Sequence, residues 1–65
     1  MKVFLNGAEH ELAGVCTLAE LVSKLAPIAP YALAVNEQFV AKQNAADVIL
    51  ASGDKIEILS PIQGG

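Results

Sequence analysis

A two-layer α+β domain, with one mixed sheet covered on one face by a single main helix, is expected from three features of these 65 residues. Asn6-Gly7 separates two short segments of period two, the stretch after Thr17 switches to helical period, and an alternating segment at 55–60 runs into Gly64-Gly65. A hairpin, one crossover helix over its apolar face and a late returning strand are the parts of such a domain. The length suits one core without a deep cleft, since a chain near this size removes only about 60% of its extended-chain surface on folding.

Each element has a local cause. Asn-Gly takes the positive φ values of a tight type I′ turn, so residues 1–5 and 8–13 form a hairpin. Met1, Val3 and Leu5 then face the core. Lys2 and Phe4 face outward, leaving Phe4 as an exposed aromatic suited to a binding patch or to an ordinary scattered surface position. Gly14 ends the hairpin. Thr17 and Glu20 fit a capping box, with Cys16 and Leu21 placed as a weak hydrophobic staple. Leu18, Leu21, Val22 and Leu25 form one apolar face of a helix of about ten residues, and Glu20 and Lys24 lie four apart in the favourable order. Pro27 and Pro30 stop the helix.

Residues 31–36 alternate as a strand, with Leu33 and Val35 inward and Ala32 and Ala34 outward. A turn at 36–38 leads to a short segment at 39–41. Residues 42–50 read as a helical turn or covering loop that carries Val48 or Ile49 into the core. Ser52-Gly53-Asp54 is a turn. Residues 55–60 form the last strand, with Ile56 and Ile58 inward and Glu57 and Leu59 outward. Placing the first and last strands side by side and parallel in the middle of the sheet makes this a β-grasp, or ubiquitin-like, domain over residues 1–60. Residues 61–65 are then a flexible C-terminal tail ending in Gly-Gly. A ferredoxin-like fold would need a second full helix, for which 42–50 is poorly suited.

Composition narrows the function. A hydrophobic fraction of 54% against 17% charged residues argues for a folded chain. No apolar run is long enough to span a bilayer, and nothing resembling a signal peptide follows Met1, so a cytoplasmic location is expected. The formal charge of −3, without a basic patch or a stacking aromatic pair, argues against nucleic acid and fits a basic protein surface better. One cysteine forms no internal disulfide. His10 and Cys16 complete no metal-ligand spacing; a solvated histidine and a small buried thiol are the simpler accounts. Tyr31 beside Pro30 reads as a packing residue at the end of the sheet.

For the Gly64-Gly65 end, two readings stand on the dipeptide alone. Glycine adds nothing to a core and is costly to order, so the end is either frayed, as domain termini commonly are, or presented so that the Gly65 α-carboxylate can react.

Over essentially its whole length the chain resembles the sulfur carrier proteins of thiamine biosynthesis, the ThiS family. The resemblance is sharpest in ALAVNEQFV at 32–40 and GDKIEILSPIQGG at 53–65. It implies a non-catalytic protein cosubstrate with no cofactor of its own. A ThiF-like adenylating enzyme would use ATP and Mg to activate the Gly65 carboxylate. A cysteine desulfurase or sulfurtransferase would supply the sulfur, and thiazole synthase would receive it from a Gly65 thiocarboxylate. The residue types suit that chemistry. A free α-carboxylate is ionised at neutral pH and a poor electrophile, Gly65 has no Cβ to block attack, and Gly64 reaches backbone angles closed to other residues. Five extended residues span about 17 Å at roughly 3.4 Å each, enough to enter a partner's active site. Partner binding is expected on the sheet face opposite the helix, through Phe4, Ala34, Leu59 and Ile62 together with Gly64 and Gly65. Three other roles stay open: a molybdopterin synthase small subunit, a ubiquitin-like modifier joined through Gly65, and a binding module with an inert tail. The Pro61-Ile62-Gln63 approach to the glycines is closer to the thiamine carriers than to the synthase subunit.

Overall fold

The computed structural model describes residues 1–14 and 16–60. Strands β1 (Lys2–Leu5) and β2 (Ala8–Glu11) form the first hairpin, followed by helix α1 (Leu18–Leu25), strands β3 (Ala32–Val35) and β4 (Gln38–Val40), a 3₁₀ helix (Lys42–Asp47) and strand β5 (Lys55–Leu59). The sheet order is β2-β1-β5-β3-β4. Strands β1 and β5 are parallel and every other pair is antiparallel. The last strand in the chain is therefore the central one, and with α1 on one face this is the β-grasp arrangement.

Both hairpins use the same turn. Asn6 and Gly7 have φ of 48° and 86°, and Asn36 and Glu37 have φ of 51° and 71°, the double left-handed geometry of a type I′ turn. The first hairpin has glycine at the second centre. The second holds a glutamate there, in a region that L side chains avoid.

Helix α1 begins as the capping box predicts. Thr17 Oγ1 accepts from the Glu20 N–H at 3.2 Å, and Glu20 Oε1 accepts from the Thr17 N–H at 2.7 Å. Because the Glu20 carboxylate turns back to the cap, the expected Glu20–Lys24 pair is not among the ion pairs of the described residues. The helix has eight residues, closing on Ala26 at φ 46° just before Pro27. Leu18 and Leu21 are buried and Val22 packs beside them, whereas Leu25, expected on the same face, is 38% exposed.

The core lies between α1 and the sheet: Val3, Leu12, Leu18, Leu21, Leu33, Ala45, Leu50 and Ile56. The 42–50 segment supplies the expected helical turn and brings Val48, of the two residues expected, against the core, together with two residues that were not expected there. Ala45 on the 3₁₀ helix and Leu50 are buried, Val48 is partly buried, and Ile49 is 67% exposed. An isolated antiparallel bridge between Thr17 and Ile49 explains this. Leu18 N–H donates to the Val48 carbonyl and Leu50 N–H to that of Cys16, so 48–50 is extended, and its side chains alternate with Ile49 outward. Among the described residues no helix is long and apolar enough to cross a membrane.

Candidate functional site

Three of the predicted site residues, Ile62, Gly64 and Gly65, lie outside the described residues. What the structure describes is the root from which they follow and the sheet face beside it. Strand β5 ends at Leu59, and Ser60 lies with Pro30, Tyr31, Ala32 and Leu59 around a concavity of about 380 Å³. Tyr31 packs its ring partly against the core, and the Lys42 ammonium sits 4.0 Å from the ring centroid, a cation–π contact.

Pairing register sorts the outer face, since directly paired residues project to the same side. Val3 is fully buried under α1, so Phe4 lies on the opposite side. Phe4 pairs with Glu9 and Lys55, Ala34 with Phe39 and Glu57, and Leu59 with Ala32. Phe4, Ala34 and Leu59 therefore share the expected face, but their accessibility differs from the expectation. Leu59 is 44% exposed. Phe4 is only half exposed: it lies between Glu9 and Lys55, and it helps to line an open concavity of about 340 Å³ with Gly7, Glu37 and Glu57.

Ala34 is a correction. It is 4% exposed yet does not belong to the core cluster. Its methyl group is flanked in its row by the larger side chains of Phe39 and Glu57. Ala34 sets how closely its neighbours approach and presents almost no surface itself.

Phe39 is the residue that sequence reasoning missed. It is 77% exposed on the same face as Phe4 and Leu59. An aromatic ring so open in so small a domain is the strongest apolar feature of that face, and exposed apolar groups gathered on one side mark interaction surfaces. The signal was available: a type I′ turn at 36–37 fixes the register, and register makes Phe39 face the same way as Ala34. Around these residues the face is charged. Lys2 Nζ lies 3.7 Å from Glu9 Oε2, with both side chains largely exposed, a pair worth little to stability.

Two further candidates lie away from this face. His10 lies on the exposed strand β2, and Cys16 is half-buried against the core. Among the described residues no group of three or more His, Cys, Asp or Glu is placed to hold a metal ion.

A sequence profile of the ThiS family matches residues 3–65. Among solved structures, the crystal structure of a thiamine biosynthesis protein (ThiS) from Geobacter metallireducens is similar over 100% of both chains, with a TM-score of 0.84 at 22% identity. An NMR solution structure of a thiamine biosynthesis protein from the same organism aligns with a TM-score of 0.79 at 22% identity, over 100% of this chain and 88% of that one. At such identity the likeness speaks for the fold. A search of curated protein sequences finds no match.

Proposed function

Because the chain belongs to the ThiS family, whose members are sulfur carriers and not catalysts, we propose that it carries sulfur for thiamine biosynthesis as a thiocarboxylate on Gly65. The observation that most supports this reading is that the family match runs through residue 65 and so takes in both terminal glycines. The position of β5 agrees with it. The strand that leads to those glycines is the central one, paired to β1 at its start and to β3 as far as Leu59.

The chemistry proceeds by activation and exchange. A ThiF-like enzyme with ATP and Mg joins the Gly65 carboxylate to AMP and releases pyrophosphate. A sulfur nucleophile, drawn from a cysteine desulfurase or sulfurtransferase persulfide with a thiol as reductant, then adds at the acyl carbon. AMP departs, leaving the thiocarboxylate. Thiazole synthase takes the sulfur from it. The domain's own contribution is recognition: Phe39, Leu59 and the half-buried Phe4 stand on the outer face of the sheet, with Leu59 next to the root of the tail.

Intact-protein mass spectrometry after incubation with ATP, Mg, a sulfur donor and the adenylating enzyme tests the proposal. The expected result is a mass shift matching replacement of one oxygen by sulfur, absent when Gly65 is deleted. An active enzyme that forms neither adenylate nor thiocarboxylate on this chain would overturn it.

A further inference from the structure

Strand β1 ends one rung too early to hold the end of β5. Their parallel pairing covers Phe4 with Lys55 and Leu5 with Ile56. The ladder continues with the Phe4 N–H donating to the Asp54 carbonyl at 2.9 Å and the Asn6 N–H to that of Ile56 at 2.9 Å. In a straight parallel ladder the next bond would run from the Ile58 N–H to the main-chain carbonyl of residue 6. Asn6, however, is already in the turn at φ 48°. Its side chain takes over: Oδ1 accepts from the Ile58 N–H at 3.0 Å, and Nδ2 donates to the Ile58 carbonyl at 3.4 Å. A side-chain amide, planar and two-sided like a peptide group, stands where the missing strand would be. On its other edge β5 is paired to β3 through Leu33 with Ile58 and Ala32 with Leu59. With Asn6 in place the end of β5 is held along both edges, Ile58 by the Asn6 amide and its neighbours by β3, two residues before Ser60.

We infer that Asn6 is a positioning residue for the carrier reaction: it fixes the direction in which β5 delivers Ser60, from which the chain continues to the adenylating active site. The inference rests on the carrier role proposed above. Without the amide, the last rungs of β5 hang on β3 alone and the exit direction spreads over a wider range. Only part of that range suits docking, and an affinity falls in proportion to the competent fraction. Once the carboxyl is seated, the enzyme's contacts hold it, so turnover is unaffected. Loss of Asn6 therefore raises KM for the carrier and leaves kcat alone.

The fold supplies its own control. Asn36 is the matching residue of the second turn, at φ 51°, and serves the opposite end of the same strand. Its Oδ1 accepts from the Lys55 N–H at 3.1 Å, and its Nδ2 donates to Asp54 Oδ1 at 3.1 Å. Glycine suits the first centre of a type I′ turn, so Asn6→Gly and Asn36→Gly each keep the turn and lose two side-chain bonds to the strand or its approach.

The experiment is steady-state ATP–pyrophosphate exchange by the adenylating enzyme with the full-length chain and these variants, well below their melting temperatures. Asn6→Gly should raise KM for the carrier by roughly fivefold, the scale of a hydrogen bond's net worth, with kcat unchanged. Asn36→Gly, with a comparable loss of Tm, should leave both constants alone. Asn6→Asp keeps the Oδ1 acceptor and should fall between wild type and glycine. Equal KM for wild type and Asn6→Gly, or equal rises for Asn6→Gly and Asn36→Gly, would remove the positioning role. Should Asn6→Gly not fold, Asn6→Asp decides, with a raised KM supporting the role and an unchanged one overturning it. No exchange with the wild-type chain under an active enzyme would instead sink the carrier reading itself, and this inference with it.

Discussion

Glu37 and Gly7 occupy the same place in two copies of one turn, at φ 71° and 86°. The left-handed region costs an L residue roughly 1–2 kcal/mol relative to glycine, part of which is offset by the greater freedom of glycine in the unfolded chain. Glu37→Gly should therefore stabilise the domain by about 1 kcal/mol, measured as a higher denaturation midpoint with an unchanged slope. A lower midpoint would mean that the carboxylate makes a compensating contact. Single residues also mark where sequence reading stops. Alternation placed Ala34 on the outer face correctly. That it is hidden there could not be read from its own strand, because its neighbours in the row, Phe39 and Glu57, come from two other strands. The direction of a side chain is a local property, but its accessibility belongs to its neighbours.

Helix α1 was legible in advance because its start is written in four consecutive residues. Thr17 and Glu20 satisfy each other's backbone N–H groups, so Thr17→Ala should lower stability by about 1 kcal/mol, visible as a drop in Tm with native circular dichroism at low temperature. An unchanged Tm would show that Leu18 and Leu21 alone position the helix. The hairpin at Asn6-Gly7 was equally plain, again from adjacent residues. The 42–50 segment resisted for the opposite reason. Its key contact is the bridge between Ile49 and Thr17, which join across a wide gap in sequence, and neither residue advertises the other. That bridge decides that Leu50 is buried while Ile49 is not. Leu25 shows the same limit. It has the right helical spacing, but it stands in the last turn, beyond the part of the face that the sheet covers.

The molecule as a whole presents two unlike faces. One is closed by α1 and the 3₁₀ helix, and the other is an open sheet on which Phe39 and Leu59 stand among charged residues. Replacing Phe39 by glutamate should leave stability within about 0.5 kcal/mol, as for other exposed positions, while weakening binding to the adenylating enzyme about tenfold, the scale of a moderate interface anchor. Isothermal titration calorimetry would measure this, and an unchanged Kd would move the docking surface elsewhere. Alternation put Phe4 and Leu59 on this face, where pairing places them, and overlooked Phe39, whose direction follows from carrying the register of the 36–37 turn into a three-residue edge strand.

The place of β5 has one more consequence, for synthesis. Strands β1 and β2 make one hairpin, β3 and β4 another, and they share no ladder until β5 arrives between them. Two-stranded hairpins are at best marginal alone in water. A nascent chain on the ribosome therefore holds two unjoined halves until its last strand has cleared the exit tunnel. The sheet then closes around that strand, and a chain cut short before β5 is left with two further open edges, β1 and β3, for the quality-control machinery to find.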